Sequence, residues 1–117
     1  MRHHNTKRKF GRVTKVRSAL LKSLLRSFII HGKISTTEAK AKEIRPIIEG
    51  LVTKARTGTL ASRRFITAKL GNQEKISKKL CDEIAPKYKE RNGGYTRIIK
   101  LPQRKSDGSK MAVIEFV

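Results

Sequence analysis

The chain has no tryptophan and six other aromatic side chains, four Phe and two Tyr. A core built from it is expected to be aliphatic and too small to enclose the whole chain. One cysteine, Cys81, excludes an internal disulfide and a Cys-based zinc site. Long apolar runs are missing: the longest, Phe28-Ile29-Ile30 and Met111-Ala112-Val113-Ile114, fall far short of the roughly 20 residues of a membrane span. The opening Met1-Arg2-His3-His4 has no apolar block of the secretory kind, so the expected location is cytoplasmic. Acidic residues are the scarcest class that matters. Nine Asp and Glu face 29 Lys and Arg, a formal net charge of +20 on 117 residues. A surplus of that size calls for an anionic partner.

The charge is unevenly placed. Residues 1–37 carry ten basic side chains and no acid, the first being Glu38. Like charges at this density repel one another and gain little from burial, so residues 1–12 read as a basic arm, extended or disordered until neutralised. Residues 13–117 then form a single globular domain.

From Val13 the apolar residues take helical spacing: Val13, Val16, Leu20, Leu24 and Phe28, widened by Leu21, Leu25 and Ile29 and stopped at Gly32. At about 100° per residue, Arg12, Lys15, Lys22 and Arg26 share the opposite face. A short strand is predicted over 33–37, with Thr36 or Thr37 capping a second helix whose apolar face is Ile44, Ile47, Ile48, Leu51, Val52 and Ala55. Pro46 predicts a kink near Glu43 or a restart at Arg45. Thr59 is placed to cap a third helix through Leu60, Phe65, Ile66 and Leu70, and Asn72 a fourth through Ile76, Leu80 and Ile84, closed by Pro86. After Asn92-Gly93-Gly94, segments 95–101 and 111–117 read as an antiparallel hairpin. The order is helix, strand, three helices, two strands. It predicts an α+β, two-layer fold: a small mixed sheet covered by helices on one face, preceded by the basic arm.

The sequence carries little that resembles catalytic machinery. Asp82 and Glu83 are neighbours on a helix and point about 100° apart; no Gly-x-Ser-x-Gly turn, Walker loop or Gly-x-Gly-x-x-Gly occurs. Gly93-Gly94 reads as a turn, Cys81 as a boundary or core residue, and His31 as a helix C-terminal residue. His3 has the position of an amino-terminal copper ligand, but beside Arg2, His4 and Lys7 it is read as an RNA contact. No enzyme activity, cofactor, metal or small-molecule substrate is expected.

Several motifs together resemble one family. Met1-Arg2-His3, Gly11-Arg12 and Arg17, Thr36-Thr37 with Ala41-Lys42-Glu43-Ile44-Arg45, and Arg91-Asn92-Gly93-Gly94-Tyr95-Thr96-Arg97-Ile98 with Lys100 are similar to the bacterial large-subunit ribosomal protein L17 family. The Gly-Gly-Tyr-Thr-Arg-Ile stretch is the most specific of these. Val16 and Ser106 depart from the family pattern, where His and Gly are usual. The resemblance implies a structural protein that binds large-subunit ribosomal RNA near the polypeptide exit tunnel, beside neighbouring ribosomal proteins, with an N-terminal arm entering the RNA. The candidate RNA contacts are Arg2, His3, His4, Lys7, Arg8, Lys9, Arg12, Lys15, Arg17, Lys22 and Arg26 in the arm and first helix. Arg63 and Arg64 join them on the third helix, with Arg91, Tyr95 and Arg97 in the glycine-rich segment. Arg97 is expected on a phosphate, and Tyr95 packing or stacking. Charge alone also permits a histone-like DNA-binding protein or, through residues 13–30, a basic amphipathic membrane binder.

Overall fold

The structure, a computed structural model, describes residues 8–117. Helix α1 spans Thr14–His31. It ends where Gly32 adopts the left-handed conformation (φ 78°), its N–H returning to the Phe28 carbonyl at 2.8 Å. Strand β1 (Lys33–Thr37) leads directly into α2 (Glu38–Arg56). Thr37 is the cap, its hydroxyl accepting from the Lys40 N–H. Helix α2 does not restart at Arg45 but runs through Pro46, which lies on its exposed side. Helix α3 (Leu60–Lys69) is capped by Thr59, whose hydroxyl accepts from Ser62 N–H at 3.1 Å.

The fourth helix departs from expectation at both ends. Asn72 does not cap it. With φ 62° and its N–H on the Thr67 carbonyl, Asn72 closes α3 instead, a role open to Asn because it tolerates the left-handed region. The cap residue of α4 (Glu74–Lys79) is Gln73. Nor does the chain stop winding at Pro86: it loosens into a π-turn over Leu80–Ile84 and tightens into a 3-10 turn over Ala85–Tyr88. The change of pitch accommodates the missing proline N–H while keeping Leu80, Cys81, Ile84, Ala85 and Tyr88 buried.

Strands β2 (Thr96–Leu101) and β3 (Met111–Phe116) complete a sheet of order β1-β3-β2. It is wholly antiparallel rather than mixed. Strands β1 and β2 run in the same direction, and a parallel pair would require them to be adjacent; β3 lies between them and opposes both. Ile34, Ile114 and Ile98 align across the inner face, where α2 packs on all three strands. The outer row of Ser35, Val113 and Ile99 is exposed at both ends and half-buried at Val113.

The core joins Ile44, Ile48 and Val52 of α2 to Phe28, Ile29, Ile66, Leu70, Leu80 and Ile114. It is less purely aliphatic than the composition suggests. Phe28 stacks on Phe116 at 4.4 Å between centroids, and Tyr88 meets Phe116 at 6.2 Å and Tyr95 at 5.3 Å. Four of the six aromatic rings thus gather under one end of the sheet.

Candidate nucleic-acid interface

The fully buried residues of α1, Leu25, Phe28 and Ile29, lie in its C-terminal half, with Leu21 and Leu24 packed beside them. Its first turns overhang, leaving Val13 70% and Val16 51% exposed. The apolar stripe is therefore longer than the surface it covers. An 18-residue helix is roughly 27 Å long, and from Leu21 onward it packs on the globule, while its first turns project past it.

The cations run along one side of the helix, from its projecting start to its packed half. Thr14, Lys15, Ser18, Lys22 and Arg26 line a shallow groove along one side of α1 with no acidic residue in it. Lysine ammonium groups and hydroxyls in such a row offer the donors that a phosphate backbone takes. The helix start adds to the field: Val13 provides no side-chain cap and no acid stands in the first turn, so the positive end of the helix dipole is left uncompensated. Ahead of it, Phe10 (φ 55°) and Gly11 (φ 64°) turn the chain. Exposed Lys9 and Arg12 flank that turn, and Arg12 donates to the Phe10 carbonyl at 2.7 Å. Arg17 is half-buried on the same helix.

Other candidate residues are engaged within the protein. Arg8 pairs with Glu43 at 3.1 Å, which ties the segment before α1 to α2. Arg26 donates through Nε to the Leu70 carbonyl at 2.9 Å. A Cβ on Gly71 would lie 2.0 Å from its guanidinium, so that glycine makes room for the latch. Arg63 pairs with Asp82, whose charge and hydrogen bond raise the arginine pKa further. Arg97 pairs with Glu115 at 2.6 Å on the outer face of the sheet. Arg64 and Arg91 are exposed, away from the α1 groove. Arg2, His3, His4 and Lys7 lie outside the described residues.

Tyr95 has no face to offer a base. It is 0% exposed, and its hydroxyl is held by Arg56 Nη1 at 3.0 Å and Thr53 Oγ1 at 3.2 Å. Of packing and stacking, it packs. Arg56 was not singled out by the sequence, yet its other guanidinium nitrogen reaches the Lys89 carbonyl and Asn92 Oδ1, fastening the glycine-rich loop to α2. Nothing local marks it, because its partners lie more than thirty residues away.

The third helix also differs from its sequence reading. Ser62, Ile66 and Leu70 face inward, whereas Leu60 and Phe65 are exposed. The Lys54 and Lys69 ammonium groups lie over the Phe65 ring, 5.1 and 5.5 Å from its centroid. Among the described residues, no helix is long and apolar enough to cross a membrane.

A sequence model of the family described as Ribosomal protein L17 matches residues 20–117. The chain belongs to the ribosomal protein L17 family. It is 50% identical over 118 residues to the large ribosomal subunit protein bL17 of Hydrogenobaculum sp., covering all of this chain and 99% of that one. The bL17 of Persephonella marina is 51% identical over 118 residues, with 100% and 95% covered. That of Campylobacter jejuni subsp. doylei is 50% identical over 117 residues, with 100% and 99% covered. These alignments take in the basic N-terminal segment that the family model leaves out. As a bacterial ribosomal protein of this family, the chain resides in the ribosome, in the cytoplasm.

Proposed function

We propose that this protein is a structural, non-enzymatic constituent of the large ribosomal subunit that binds large-subunit ribosomal RNA. Residues 1–12 act as an arm entering the RNA, and the domain over 13–117 docks on its surface near the exit tunnel, among neighbouring ribosomal proteins. The observation that carries this reading is the acid-free row of Thr14, Lys15, Ser18 and Lys22 along α1, whose first turns project beyond the core. A globule has no use for such turns; a phosphate backbone does. Lys and Arg displace condensed counterions from RNA, and the arginine fork bridges phosphates where lysine offers a point charge. Lys9, Arg12, Lys15, Arg17 and Lys22 are the described residues in this role; Arg2, His3, His4 and Lys7 extend it along the arm.

The test is affinity for large-subunit ribosomal RNA as a function of salt, with duplex DNA as competitor. Contact with about six to ten phosphates makes the affinity fall by roughly three to five orders of magnitude between low and moderate salt. The double substitution Lys15→Gln with Lys22→Gln lowers the log-log slope by about one to two. A flat slope overturns the electrostatic mechanism. Preference for duplex DNA over the RNA would favour a histone-like protein instead.

A further inference from the structure

A second groove, of about 480 Å³, runs between α1, α2 and α3. Leu21, Leu25 and Leu51 line it as an apolar floor, Phe65 stands beside them, and Lys22, Lys54 and Lys69 surround it with no acidic side chain. Phe65 is 42% exposed although Ile66 and Leu70 already supply the buried face of its helix. Gly50 also lines the groove, in the interior of α2, where glycine weakens a helix. A Cβ there would meet nothing within 4 Å. Neither a turn nor a close approach requires glycine at this place; its effect is open space.

We propose that this groove seats one unstacked base of ribosomal RNA. The base lies against the leucine floor and replaces the Lys54 and Lys69 ammonium groups on the Phe65 ring; these two lysines and Lys22 turn to the flanking phosphates. The proposal rests on the RNA-binding reading above and extends it from backbone contact to a base pocket. Charge complementarity selects the occupant: three cations and no acid favour phosphates, while an exposed ring and apolar floor favour a π-face, the combination that holds single-stranded nucleic acid. A basic segment of a neighbouring protein would meet the same cations unfavourably. Lys22 lines both grooves, so a strand following the α1 face can turn into this one.

Gly50→Leu fills the groove without removing a cation or a core contact. It is compared with the unmodified full chain in thermal unfolding, in binding to protein-free large-subunit ribosomal RNA across salt, and in ultraviolet crosslinking read by mass spectrometry. The expected result is an unfolding midpoint no lower than that of the unmodified chain and an affinity about 5- to 100-fold weaker. The salt slope stays unchanged, and a nucleotide-bearing peptide containing Phe65 is lost. Phe65→Leu weakens binding likewise and Phe65→Tyr restores it, which keeps the test open should Gly50→Leu misfold. Affinity within twofold for both Gly50→Leu and Phe65→Leu, with no crosslink to Phe65, overturns the base pocket while leaving RNA binding intact. Full RNA affinity combined with loss from large-subunit particles assigns the groove to a protein neighbour and overturns it as well. Failure of the unmodified chain to bind RNA overturns both readings.

Discussion

Tyr95 and Arg56 show how a single pair can organise a loop. Burial alone pushes the Tyr95 phenol up, but the hydrogen bonds from Thr53 and Arg56 and the arginine charge outweigh it and hold the pKa below its ordinary value. Tyr95→Phe keeps the ring but leaves Arg56 Nη1 without its acceptor, beside an Nε already buried without a partner. The expected loss is about 1–3 kcal/mol in urea denaturation. Cys81 is the opposite case. Burial pushes its thiol up, so it reacts slowly with a disulfide reagent near neutral pH and reaches free-thiol rates only on unfolding. Fast labelling of the native protein would show that the Leu80–Ile84 turn opens. From the sequence, Cys81 was readable as a core or boundary residue, because its place beside Leu80 is local information; the structure buries it. Tyr95 was readable only as a motif, because the core that buries its ring and the arginine that holds its hydroxyl belong to other elements.

Helix ends were more legible than helix faces. Gly32, Thr37 and Thr59 act within one turn of themselves, so their chemistry can be read in place. Thr59→Ala removes the cap of α3 and costs about 1 kcal/mol of stability, measured by thermal melting. At Gly50, where a Cβ meets nothing, Gly50→Ala raises stability by about 0.5–1 kcal/mol in the same assay. Faces depend on what stands opposite. The period of α1 was plain, but how far its stripe would be covered depends on the size of the globule, and Phe65 is out of phase with Ile66 by about 100°. The cationic groove was legible for the same reason as the period: Lys15, Lys22 and Arg26 follow from helical geometry. The pairs that engage Arg8, Arg26, Arg63 and Arg97 join separate elements, and no spacing rule reaches across such distances.

At the scale of the whole molecule the net charge of +20 acts against compactness through self-repulsion. Added salt screens it, so the free protein melts at a higher temperature in moderate than in low salt, whereas the RNA contact proposed above weakens. Differential scanning calorimetry across salt checks the first half of this statement. Acid works with the charge. Glu38, hydrogen-bonded by Lys42, and Asp107, held by Arg104, both have carboxyl pKa values below their ordinary ones. Their contribution is complete above the ordinary carboxylate range and is lost as pH falls through the lowered values. The free protein is therefore least stable in acid at low salt. The strand order bears on how the molecule is made. Because β3, last in the chain, lies between β1 and β2, neither earlier strand has a partner until it is synthesised. At roughly 5–20 residues per second, the stretch from Thr37 to its partner Met111 takes seconds to emerge. The basic segment and α1 thus leave the translating ribosome before the sheet behind them can close, and a nascent chain meets polyanions before it is folded.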